Sequence, residues 1–163
     1  MSVTDDLLER NRAYAEGFDM GGLAGRPARR VAIVACMDAR LDPARALGLE
    51  EGDAHVIRNA GGAITDDAIR SLAISQRLLG TEEIMLLHHT DCGLATFSDD
   101  EFRRRIEDET GIRPPWAAET FTDVEDDVRQ SMARIEASPF IPEKGSVRGF
   151  VYEVETRRVR EVV

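Results

Sequence analysis

Two runs of strand length, Val31-Ala32-Ile33-Val34-Ala35 and Ile84-Met85-Leu86-Leu87, contain no polar residue to turn toward water. A strand without an alternating polar face has to be covered on both sides, which is the setting of a parallel sheet flanked by helices. Each run ends in residues with chemistry: the first in Cys36-Met37-Asp38-Ala39-Arg40, the second in His88-His89-Thr90-Asp91-Cys92. Ligands of open parallel sheets bind beyond the carboxyl ends of the strands, so both turns fall on the edge where such sheets act.

The segments between these runs fit the same plan. Asp42-Pro43 opens a short helix that Gly48 or Gly52 closes, and His55-Val56-Ile57 is a second strand. Thr65 caps a helix whose apolar stripe is Ile69, Leu72, Ala73 and Leu79, and Gly80 ends it. Ser98-x-x-Glu101 and Thr122-x-x-Glu125 read as capping boxes opening two further helices, the second striped by Val124, Val128, Met132 and Ile135. Residues 149–154 and 159–163 close the chain as a strand pair at the sheet edge. The expected fold is α/β: a mostly parallel central sheet of order around 2-1-3-4, an antiparallel edge strand, helices on both faces and an N-terminal helical arm.

The 163 residues are expected to form a single domain, with residues 1–30 as arm and linker and 31–163 as core. Thr4 is the expected cap of the arm helix, which runs to about Gly17. The stretch Phe18 to Arg30, with Gly21-Gly22, Gly25 and Pro27, lets that helix pack away from the nearest strand, a partner subunit being one place for it. The net charge of −10 argues against nucleic acid and anionic membrane as partners. Residues 1–16 lack the basic start and apolar core of a secretory signal, and no apolar stretch approaches the ~20 residues of a membrane span, so a cytoplasmic location is expected. In that reducing compartment the two cysteines are not expected to pair as a structural disulfide.

Two thiolates and one imidazole at one sheet edge give a tetrahedral zinc three protein ligands and leave a fourth position for water. Taken one at a time, Cys36 as a small buried hydrophobe and Cys92 as a loop thiol are ordinary; their matched placement at two strand ends is what points to a metal. His88 and His89 compete for the third ligand, since consecutive strand residues point to opposite sides. His55 reads as a core or rim histidine away from the metal. Asp38 and Arg40 suit a carboxylate held ionised and aimed by a guanidinium, or alternatively a carboxylate that itself fills the fourth zinc position. Asn59-Ala60-Gly61-Gly62 lacks the spacing of a phosphate loop and reads as a tight turn or a close backbone approach. Thr90 and Asp91 are either supports of the ligands or turn formers.

Three blocks in order, Cys-Met-Asp-Ala-Arg at 36–40, Val-Ile-Arg-Asn-Ala-Gly-Gly at 56–62 and His-Thr-Asp-Cys-Gly at 89–93, make the chain resemble the β-class carbonic anhydrases, in particular their compact prokaryotic branch. The likeness runs from about residue 31 to 97 and resumes at Val147. It implies one Zn2+ per chain held by Cys36, His89 and Cys92, and it settles the histidine choice by analogy. Asp38 and Arg40 inherit the catalytic dyad, with Asp38 on the metal in a closed state or paired with Arg40 in an open one. The implied reaction is the reversible hydration of carbon dioxide to bicarbonate and a proton by a zinc-bound hydroxide. The alternatives are hydrolysis of carbonyl sulfide or carbon disulfide on the same zinc site, and a non-catalytic zinc or redox protein. The resemblance also implies a homodimer or higher homo-oligomer with the N-terminal helix reaching across to a partner. Leu94, where a second Gly is common, and Glu155-Thr156-Arg157-Arg158, where a Gly is usual, depart from the pattern.

Overall fold

Residues 2–17 and 21–163 are described in a computed structural model of the chain. Five strands, β1 (Val31–Cys36), β2 (Ala54–Asn59), β3 (Glu83–His89), β4 (Val147–Tyr152) and β5 (Val159–Val162), form one sheet of order β2-β1-β3-β4-β5. The first four are mutually parallel and β5 closes the edge antiparallel to β4, as the sequence order predicts. Helices α1 (Val3–Glu16), α2 (Pro43–Leu47), α3 (Asp66–Leu79), α4 (Asp99–Thr110) and α5 (Val124–Ala137) complete the chain.

The apolar runs explain the layering. Ala32 and Val34 of β1 with Ile84 and Leu86 of β3 face α3 and α5, packing on Ile64, Ala68, Leu72 and Ile135. Ile33, Ala35 and Leu87 point the other way, joining Leu41, Cys36, Cys92 and Tyr152. All four β1 residues and both leucines are at most 1% exposed, and a fully buried Ile or Leu contributes about 1.5–3 kcal/mol through removal from water. Period-2 alternation thus divides one continuous apolar run between two cores. At Gly149 of β4 the strand approaches α5 so closely that an added Cβ would strike the Val128 side chain.

Helix ends follow local chemistry, with two differences from expectation. Thr65 caps α3 by accepting from the Ala68 N–H, Gly80 closes it in the left-handed conformation, and Ser98 with Glu101 forms the expected capping box on α4. Asp42 caps α2, and Gly48 rather than Gly52 ends it. The cap of α1 is Ser2, not Thr4: its hydroxyl takes the Asp5 N–H while the Asp5 carboxylate returns to the Ser2 N–H. For α5 the cap is Asp123, one residue past Thr122, because a carboxylate there accepts from both Glu125 and Asp126. The expected linker lies partly on residues 18–20, outside the described residues.

Candidate metal centre

The parallel register brings the chemistry together. Cys36 closes β1 opposite Asn59 of β2, and Ala35 pairs with Leu87 of the adjacent β3, so the ends of β1 and β3 meet. Beyond them the Sγ atoms of Cys36 and Cys92 and a ring nitrogen of His89 lie within 4.8 Å of one another. All three residues are buried, His89 to 1% exposure. A tetrahedral zinc with bonds of about 2.3 Å to sulfur and 2.0–2.1 Å to nitrogen separates its donors by roughly 3.5–3.8 Å. The most widely spaced donors therefore have to close by no more than about 1.3 Å.

Strand alternation separates the two histidines. His88 has the parity of Ile84 and Leu86 and faces α5, with Nδ1 2.9 Å from the Asp127 carboxylate but outside hydrogen-bonding geometry. His89 has the parity of Leu87 and faces the two sulfurs. Its Nδ1 lies 2.8 Å from the Thr90 carbonyl, which can only accept, so the ring proton sits there and Nε2 presents a lone pair. Buried Nε2 has no hydrogen-bond partner. An orphaned imidazole nitrogen beside two sulfurs is what a divalent metal would satisfy, and the soft two-sulfur, one-nitrogen set suits zinc. His55, by contrast, bonds Ser75 and the Gly25 carbonyl, well away from this centre.

Electrostatics agree with a metal-ready pair of thiols. The neighbouring Cys92, with His89 beside it, pulls the Cys36 thiol below its ordinary range, while Cys36 and burial push Cys92 up. Burial works against charging His89, but the Cys36 thiolate and the Thr90 carbonyl outweigh it and raise its pKa.

Asp38 stands outside the three-donor group, its Oδ2 3.7 Å from His89 Nε2. Arg40 holds it from the side: Nε to Oδ1 at 3.0 Å, Nη2 to Oδ2 at 2.8 Å, and the Arg40 N–H to Oδ1 at 2.8 Å. The guanidinium keeps this carboxyl well below the usual carboxylate range, and Asp38 with Asp91 raises Arg40 in return. Because the Asp38 pKa is lowered on folding, the pair stabilises the protein above the ordinary carboxylate pKa and loses that contribution as pH falls through the lowered value.

Two further residues support the site, of which only Arg58 was not apparent from sequence. Arg58 donates to the carbonyls of Cys36, Asp38 and Leu41, at 2.7–3.0 Å, and so pins the whole turn that carries Cys36 and Asp38. Gly62 has φ +72, and a Cβ there would sit 3.0 Å from the Cys36 nitrogen and 3.1 Å from the Ala35 carbonyl carbon. Gly62 is thus a close backbone approach behind the first cysteine, one of the readings that the sequence suggested, while a Cβ at Gly61 would meet the Leu94 side chain. Over the metal donors lies a cavity of about 280 Å³ lined by Met37, Ala60, Gly61, Leu94 and Phe97 as well as Cys36, Asp38 and Cys92. Apolar walls around one carboxylate and two sulfurs suit a small uncharged molecule.

The family model described as carbonic anhydrase matches residues 31–116. A β-carbonic anhydrase 1 from Mycobacterium tuberculosis is 62% identical over 162 residues, covering 99% of both chains. A carbonic anhydrase structure from Streptococcus mutans superposes with a TM-score of 0.94 at 48% identity, covering 100% of this chain and 99% of that one. A carbon disulfide hydrolase from Saccharolobus solfataricus is 36% identical, covering 98% of this chain and 90% of its own.

Proposed function

The chain belongs to the β-class carbonic anhydrases, and on that premise we propose that Cys36, His89 and Cys92 hold its zinc while Asp38, steadied by Arg40, orients the reacting water. Its reaction is the reversible hydration of carbon dioxide to bicarbonate and a proton. Zinc, when bound, supplies a Lewis acid that lowers the pKa of a water molecule. The Asp38 carboxylate, ionised because Arg40 grips both its oxygens, would accept a hydrogen bond from a water beside it and so orient that water toward the carbon of the substrate. Met37, Leu94 and Phe97 receive carbon dioxide in a pocket with little to hydrogen-bond it, and the Arg58 clamp keeps the Asp38 turn from drifting during turnover. The observation that most supports this assignment is the buried convergence of three donors with an unpartnered His89 Nε2.

Identity runs higher to the carbonic anhydrase than to the carbon disulfide hydrolase, which favours carbon dioxide over its sulfur analogues. A purely structural zinc is disfavoured, because such sites normally carry four Cys or His donors and this one gathers three. We read the protein as one domain that works in the cytoplasm, where its two free cysteines stay reduced; no described helix is long and apolar enough to cross a membrane. We also read it as a homodimer or larger assembly. Helix α1 buries none of its residues in its own chain and leaves Val3, Leu7 and Leu8 more than half exposed, which supports an arm lying against a second copy.

The deciding assay is stopped-flow hydration of carbon dioxide on zinc-analysed protein, run beside hydrogen sulfide release from carbonyl sulfide and carbon disulfide. Hydration should dominate; a zinc-loaded protein that releases sulfide but does not hydrate carbon dioxide would overturn the reading.

A further inference from the structure

Arg40 is gripped from two edges. Asp38 takes Nε and Nη2, while Asp91 takes Nη1 on its carboxylate at 2.7 Å and Nη2 on its main-chain carbonyl at 2.9 Å. These contacts use four of the five N–H groups a guanidinium offers. Asp91 reaches Arg40 twice because its backbone is left-handed, φ +56, a conformation that costs an L residue free energy and that Asp tolerates better than most. No geometric demand of the sheet explains a carboxylate at that position, since Gly would turn the chain there with less strain.

We propose that Asp91 is a positioning residue: it latches Arg40 in place and thereby keeps Asp38 turned toward the guanidinium and off the metal donors. Asp38 Oδ2 lies 3.7 Å from His89 Nε2, close enough for the carboxylate to be drawn onto a cation held by Cys36, His89 and Cys92. Whether it stays away depends on how firmly Arg40 waits for it. The Arg40 side chain is 45% exposed, so without a second anchor its long stem samples water and offers Asp38 a weaker hold. Asp91, itself 79% exposed, leaves only that anchoring contact to lose. The inference rests on the assignment of the three metal donors, and it goes beyond that assignment by naming what biases Asp38.

The test uses zinc-loaded full-length protein as wild type, Asp91→Ala and Asp91→Gly, with thiocyanate titrated calorimetrically as a probe of the open metal position and carbon dioxide hydration measured in parallel. If Asp38 moves onto the metal, thiocyanate affinity and kcat/KM both fall, by about fivefold, in both variants. Loss of a negative charge near the site would by itself tighten anion binding, so the two effects have opposite signs. Asp91→Gly relieves the left-handed strain and should melt no lower than wild type, which separates latching from folding. Thiocyanate binding that is unchanged or tighter in both variants overturns the proposal. A wild type that binds thiocyanate but does not hydrate carbon dioxide would instead refute the enzymatic reading, and the thiocyanate comparison would still judge Asp91.

Discussion

His88 and His89 are neighbours in sequence and leave β3 on opposite faces, one toward Asp127 of α5 and the other toward the sulfurs. Spacing alone left that choice open because the start of the turn was not visible; once β3 runs through His89, parity turns His89 rather than His88 toward the sulfurs. The two cysteines, Asp38 and Arg40 were legible, since each sits within a few residues of an unmistakable strand end. Arg58 was not, because its partners are carbonyls 17 to 22 residues away and no side-chain pattern announces them. At this scale the account predicts that Asp38→Ala keeps its zinc, because none of the three donors is touched, yet loses hydration by about 10²-fold or more, the range for removal of a group that handles a proton. Metal analysis and stopped-flow rates on one sample check this, and a variant within threefold of wild type would take Asp38 out of the chemistry. With Asp38 held low by Arg40, it stays ionised at neutral and alkaline pH, so a pH dependence there belongs to other groups.

Among the elements, the parallel direction of the strands was readable from alternation of strand and helix, while the adjacency of β1 and β3 was not, and helix starts were readable only to within a residue or two. Ser2 and Thr4, like Thr122 and Asp123, offer competing caps, and which wins depends on where the chain enters the helix. The turn after β2 was recognisable from Gly61-Gly62, with a close backbone approach as one of its two readings, but not which backbone is met, that of Ala35 and Cys36 at Gly62. Gly62→Ala should therefore act on β1 as well as on its own turn. It forces a left-handed Ala and a contact with main-chain atoms that cannot rotate away, a cost of about 1–3 kcal/mol. Urea unfolding should show that loss, together with weaker zinc retention through displaced Cys36. A variant with wild-type stability and zinc content would mean that the contact is absorbed without moving the cysteine.

For the whole molecule, the sequence conveyed the class of fold and the edge that carries the site, because two buried strands and their terminal residues encode both. For assembly it offered only the glycine-rich linker after α1 and the family resemblance, since α1 does not itself specify a partner. An arm with Val3, Leu7 and Leu8 exposed and acidic residues around them should hold copies together, and sedimentation of the full chain should give a dimer or larger species that deletion of residues 1–17 weakens; a monomer at micromolar concentration would contradict this. The proposed chemistry requires one metal gripped by residues from two distant segments. X-ray absorption at the zinc edge of the purified protein tests it most directly. The zinc should have two sulfur neighbours at about 2.3 Å and nitrogen or oxygen at about 2.0 Å; no sulfur, or a single one, would refute its binding by Cys36, His89 and Cys92.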